Sequence, residues 1–144
     1  MKKRILSLLL VLVMIVGLLP MTVLGASVVE DRRGYADLIV ENTTFTDASA
    51  ASNNQPPAWK GQKITAGFPV TEGMTMMDAI VKMLKERNVS QTGAENGYIS
   101  EIGGLKEFDN GQDSGWMGTL NGWFTNKGFQ NYVIKPGDEI RIMY

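Results

Sequence analysis

Apolar residues along this chain fall first into one long run and then into short, periodic segments. Residues 5–19 are apolar apart from Ser7 and Gly17. Residues 36–41 (ADLIVE) are apolar and β-branched at their centre and predict a first strand. A second strand follows at 63–70 (KITAGFPV), with Pro69 near its end, where a missing donor does little harm. Met77, Ile80, Val81 and Leu84 then recur at helical spacing, while Lys82, Lys85 and Glu86 take the wet face. Thr75, with Asp78 three residues on, predicts a capping-box start, and the helix should end near Arg87 and Asn88.

Beyond the helix the period is that of strands. Residues 98–102 predict a third strand stopped by Gly103-Gly104, with 105–108 continuing it. Residues 116–120 and 123–124 flank Asn121-Gly122, a two-residue hairpin turn that needs positive φ at both positions. A last hairpin is expected between 132–134 and 139–144 around Pro136-Gly137, a pair suited to a type II turn. The resulting class is α+β, one helix packed on a small mixed sheet with two C-terminal hairpins. Two stretches lack periodicity. Residues 27–34 read as a flexible lead-in, and 46–57, rich in Ala, Ser, Asn and Pro, as either a disordered loop or an ordered lid. Composition favours disorder for the second.

The long apolar run takes its meaning from its flanks. Lys2, Lys3 and Arg4 precede it, Pro20 breaks it, and Gly25, Ala26 and Ser27 suit signal peptidase, so residues 1–26 read as a secretory signal peptide of bacterial type. The run is shorter than the ~20 residues of a spanning helix, which favours cleavage over a retained anchor. The expected product is secreted and extracellular, with no stable membrane anchor; cell-envelope association is left open. Of 14 basic side chains three lie in the signal, leaving 11 against 15 acidic ones, a net charge of −4. That balance argues against nucleic acid and against an anionic lipid surface. Cysteine and histidine are both absent. The fold must do without disulfides, and a structural zinc site, a Ser-His-Asp triad and a Cys-His nucleophile are excluded. The expectation is a protein that is not an enzyme.

Three segments in order resemble one family. Thr71-Glu72-Gly73-Met74-Thr75 with Asp78-Ala79-Ile80 is similar to its helix entry, and Gly97-Tyr98-Ile99 with Ile102-Gly103-Gly104 to its central strand. Ser114-Gly115-Trp116-Met117, Leu120-Asn121-Gly122, Gly128, Tyr132, Lys135 and Gly137-Asp138-Glu139-Ile140 are similar to its C-terminal signature. The family is the transcobalamin C-terminal-like domain, found in exported and surface proteins of Gram-positive bacteria and as the small β-domain of animal cobalamin carriers. The resemblance covers about residues 35–144 and implies a β-grasp-like fold. It also implies a non-enzymatic binding module, with cobalamin or a similar corrinoid as the ligand. A second domain or protein would complete the site, because in the animal carriers a helical domain supplies the other side. The chain departs from the pattern at Gly118, where the family usually has Tyr, and at Gly103, where it has Asp or Asn. The other reading is a protein- or glycan-interaction domain of the cell envelope without corrinoid binding.

The candidate ligand-binding residues are Trp116, Trp123, Phe124, Asn126, Phe129, Gln130 and Tyr132. Trp116 is the one expected in the core as well. Trp123 follows a hairpin tip, where burial is hard, and Phe124 alternates with it, so one of the two should face the core. Residues 125–131 place amides and a hydroxyl beside Phe129, chemistry suited to an amide-fringed ring or a glycan. Asp109, Asn110 and Asp113 lack the spacing of a calcium loop and read as a solvated turn. Met74, Met76, Met77 and Met83 sit at helical spacing, which favours core packing over a copper site. Nothing in the spacing of Asp78, Glu101 and Glu107 demands a general acid and base.

Overall fold

The computed structural model describes residues 32–144. The segments read as signal peptide and as residues 27–31 of the lead-in lie outside the described residues. Arg32 to Gly34 form a turn into the first strand, with the Tyr35 amide donating to the Arg32 carbonyl at 3.0 Å.

A five-stranded sheet carries the fold. Strand β1 (Tyr35–Asn42) pairs antiparallel with β2 (Gly61–Pro69) on one side. On the other it pairs in parallel with the last strand, β8 (Glu139–Met143). Between these come helix α1 (Met76–Glu86) and the short strands β3 (Gln91–Thr92), β4 (Glu101–Ile102), β5 (Leu105–Lys106), β6 (Met117–Leu120) and β7 (Trp123–Phe124). The large sheet runs in the order β2-β1-β8-β6-β7, and β3, β4 and β5 form a small sheet of their own. A mixed sheet gripping one helix is the β-grasp-like arrangement, and the class is α+β.

The helix forms where its sequence signals it. Thr75 Oγ1 accepts the Asp78 amide at 3.1 Å, and Asp78 Oδ2 accepts the Thr75 amide at 2.9 Å, closing the capping box. The bond from the Thr75 hydroxyl, then that from the Thr75 amide, holds the Asp78 carboxyl below its ordinary value. Met76, Ile80, Met83 and Leu84 leave almost no surface exposed and meet Leu38, Val40, Ile140 and Ile142 from the centre of the sheet. Each such side chain contributes about 1.5–3 kcal/mol by leaving water.

Asn42 ends β1 as a fully buried polar residue, and all its bonds serve one purpose. Its amide group donates to the carbonyls of Phe45 (2.9 Å) and Trp59 (2.8 Å), while Oδ1 accepts the Phe45 amide. The connection from β1 to β2 is thereby tied at both ends. Within it Asp47 caps a 3-10 turn at Ala48–Ala50, and the Ser52 amide reaches the Asp109 carbonyl at 2.9 Å. The stretch whose composition suggests disorder is hydrogen-bonded to a loop 57 residues downstream.

Two expectations need correction. Residues 132–134 do not form a hairpin with the C-terminal strand. The Pro136-Gly137 turn is present, with the Asp138 amide on the Lys135 carbonyl (3.1 Å) and Gly137 at φ +90°. The Gly137 amide, however, already donates to the Tyr35 carbonyl at 2.7 Å, so the chain leaves the turn docked on β1. Residues 132–134 are held instead by the helix entry. Met76 N–H donates to the Tyr132 carbonyl (2.8 Å), Ile134 N–H donates to the Met74 carbonyl (3.0 Å), and Val133 bridges Thr75. The third strand is also shorter than 98–102, and 105–106 turns back on it rather than extending it. Gly103 and Gly104 adopt φ +59° and +86°, a tight reversal that ordinary L-residues resist.

Candidate functional site

The Asn121-Gly122 hairpin forms as expected, with φ of +53° and +80° at its two central residues. It closes the outermost strand of the sheet and exposes two aromatics. Trp123 is 81% exposed and Phe124 62%. Their alternation therefore does not bury one of them. Register places Trp123 opposite Leu120 and Phe124 opposite Thr119, so they do point to opposite faces. Strand β7 is only two residues long and has no neighbour beyond it, and neither face is covered there.

Trp116, seven residues earlier, behaves in the opposite way. It is 5% exposed and donates its indole N–H to the Leu105 carbonyl at 3.1 Å. Its ring stacks on Trp59 (centroids 5.7 Å) and meets Tyr144 edge-on (5.2 Å). This cluster joins the end of the large sheet to the small one, since Trp59 in turn donates to the Ile102 carbonyl at 2.9 Å. Trp116 is a core residue with one edge at the surface.

That edge is the floor of a groove of about 480 Å³. Its apolar walls are Trp116, Met117, Phe124 and Phe129, facing Tyr98 and Ile99 across the gap. Thr125, Asn126 and Lys127 supply polar groups along one rim. The Tyr132 hydroxyl donates to Asn126 Oδ1 (2.7 Å) and accepts the Asn126 amide (2.8 Å), so Tyr132 sets the rim rather than lining the groove. Gln130 lies over two glycines at the groove's end. A β-carbon at Gly97 would come within 2.7 Å of its amide group, and one at Gly128 within 2.5 Å. At Gly97, where φ is +79°, a side chain is strained whatever the space, while at Gly128 the neighbour is the flexible end of Gln130.

Phe129 reaches the groove for a similar reason. A β-carbon at Gly118 would lie 2.7 Å from two carbons of the Phe129 ring. The missing side chain at position 118 is the space the ring uses.

Of the seven residues expected to bind ligand, Trp116, Phe124, Asn126 and Phe129 line this groove, and Tyr132 and Gln130 buttress it. Trp123 stands outside it. Sequence reasoning missed Tyr98, Met117 and Lys127 as wall residues. For Tyr98 a signal existed. The Gly103-Gly104 reversal pairs β4 with β5 and brings Glu107 back beside residue 98, where the Tyr98 hydroxyl donates to Glu107 Oε2 at 2.7 Å. Burial, then the Glu107 hydrogen bond and charge, push the Tyr98 phenol up to about 12.

A family model described as a domain of unknown function (DUF4430) matches residues 73–144. The chain belongs to that family. The DUF4430 match opens three residues before α1 and runs through β8, so it takes in the groove's lining and leaves the β1–β2 hairpin outside. No curated protein and no solved structure matches the chain. Among the described residues no group of His, Cys, Asp and Glu side chains could hold a metal ion, and no helix is long and apolar enough to cross a membrane.

Proposed function

We propose that this DUF4430 protein is an exported, non-enzymatic binding module whose ligand lies in the groove between the β6–β7 hairpin and residues 97–99. One observation carries the reading. Phe124 and Met117 stay more than half exposed beside a preformed concave surface, although a small fold would gain by covering them. Export rests on the basic and apolar leader of the sequence. The absence of His and Cys from the whole chain leaves few nucleophile or general-base designs available, which favours binding over chemistry.

The resemblance to the transcobalamin C-terminal-like domain favours a corrinoid as ligand. A flat ring fringed with amides would rest on Phe124 and Phe129 and meet Thr125, Asn126 and Lys127 at its edge. An open groove of this size covers one side of such a ring, so a second domain or protein would cover the other. The competing reading, a protein- or glycan-interaction surface, draws on Trp123. It is the most exposed aromatic of the described residues and lies on a free sheet edge outside the groove, the kind of anchor that protein interfaces use.

Calorimetric titration of the mature protein with cyano- and hydroxocobalamin decides between them, with Phe124→Ala and Trp123→Ala as controls. The corrinoid reading expects saturable binding that Phe124→Ala weakens about tenfold or more and Trp123→Ala leaves nearly unchanged. No heat up to about millimolar ligand, the level at which binding is worth only about 4 kcal/mol, removes the corrinoid reading for the lone protein.

A further inference from the structure

A second groove, of about 560 Å³, adjoins the first and shares Tyr98, Trp116, Met117 and Phe124 with it. Its far wall is different in kind. Phe108 stands there 52% exposed and with φ at +68°, a left-handed conformation rare for a bulky residue. Such strain opposes folding, and a half-exposed ring recovers little of it by burial. It persists because the loop around it is held on all sides. The Phe108 amide donates to the Ser114 carbonyl (2.9 Å), and the Ser52 hydroxyl donates to the Phe108 carbonyl (2.7 Å). The Asn110 amide is shared by Ser114 Oγ and the Tyr144 hydroxyl. A ring presented to solvent at the expense of backbone strain has been positioned rather than left over.

The charged groups around this groove are all carboxylates, set among hydroxyl and amide side chains that both donate and accept. Glu41, Glu107 and Asp113 line it, and no lysine or arginine does. Arg141 neutralises Glu41 at 2.7 Å, whereas Glu107 and Asp113 have no ion-pair partner among the described residues. Glu107 is oriented by the Tyr98 hydroxyl. The first groove, by contrast, carries Lys127 and no carboxylate. Electron-rich ring faces and carboxylates without an ion-pair partner favour a cation that brings its own N–H donors.

We propose that this second groove binds a small organic cation, an ammonium group on an apolar or aromatic stem. The stem would lie against Phe108, Phe124 and Met117, and the ammonium would face Glu107 and Asp113. The groove's volume is in the range of small-ligand sites. The inference does not depend on what occupies the first groove, and the two fail separately because binding can be read residue by residue.

The test is an amide NMR titration of the mature protein with 2-phenylethylammonium, alongside the neutral 2-phenylethanol and the anionic 3-phenylpropanoate. The expected result is that the cation binds about tenfold more tightly than the alcohol, that the anion does not bind, and that shifts centre on residues 107–114 and Phe124. Raising the salt concentration should weaken the cation and leave the alcohol unmoved. In the double variant Glu107→Gln, Asp113→Asn, which keeps the acceptor for Tyr98, the cation and the alcohol should bind about equally. An alcohol that matches the ammonium in the unaltered protein overturns the proposal. So do shifts centred on α1 or β2, no binding by any of the three probes, or a preference for the cation that survives the double variant.

Discussion

The two ends of the five-stranded sheet are finished in opposite ways. At the β2 end Ile64 and Phe68 turn inward and are 2% and 1% exposed, while the outward residues Gln62, Lys63 and Thr65 are polar. At the β7 end Trp123, Phe124 and Met117 face water, with Tyr98 and Phe108 beside them. One end follows the economy of a folding core and the other departs from it. The departure is local. It coincides with both grooves, with the one left-handed phenylalanine and with Gly118, whose β-carbon would meet the Phe129 ring. The same hairpin contains both regimes, since Trp116 is buried but for one edge and Trp123 is open seven residues later.

The sharpest way to break this contrast is to remove the buried tryptophan. Trp116→Ala deletes a buried ring that stacks on Trp59 and abuts Tyr144, and should cost about 3–5 kcal/mol in urea unfolding. A loss below about 1 kcal/mol would mean that the ring is not part of the core. Gly118→Ala sets a methyl against the Phe129 ring at the boundary between the two regimes. It should cost about 1–3 kcal/mol by overpacking, and move the Phe129 ring resonances away from those of Trp116 and Met117. Unchanged Phe129 resonances would show that the ring does not lie over Gly118.

Smaller effects sharpen the comparison. Thr75→Ala removes the capping box on the covered side and should cost about 1 kcal/mol, read as a lower urea midpoint. Because the Asp78 carboxyl is held below its ordinary 3.8 in the folded protein, its share of stability is present above that value and fades as pH falls through it. Tyr98 behaves in the reverse sense on the open side. Its phenol is raised from 10.0 to about 12, so folding favours the protonated form. Stability from this residue holds below pH 10 and declines between 10 and 12. Tyr98→Phe should flatten that alkaline decline slightly, as Tyr98 is half exposed, and an unchanged pH profile would show no such coupling.

Local chemistry made much of this legible in the sequence. Thr75 with Asp78, Asn121 with Gly122 and Pro136 with Gly137 each specify a conformation within four residues, and each forms as its residues require. What the sequence conceals is which distant strand a segment meets. Residues 132–134 and β8 read as a hairpin because they flank a turn, yet β8 pairs in parallel with β1, a hundred residues away, and in antiparallel with β6. No local pattern encodes that choice. The candidate site was legible in the same measure. The aromatics of 116–132 were readable by type, and four of them reach the groove as lining or rim. Tyr98 and Phe108 arrive through the Gly103-Gly104 reversal and the Ser52 tie, contacts between segments far apart in the chain.

On the proposed function, the exposed aromatics of the β7 end serve binding and contribute little to folding. The direct measurement is equilibrium urea unfolding of the double variant Trp123→Ser, Phe124→Ser beside Phe68→Ala from the opposite end. The expected loss is within about 1 kcal/mol for the double variant and about 3–5 kcal/mol for Phe68→Ala. Comparable losses from the two ends would contradict it, because Trp123 and Phe124 would then be holding the fold together and their exposure would need no ligand.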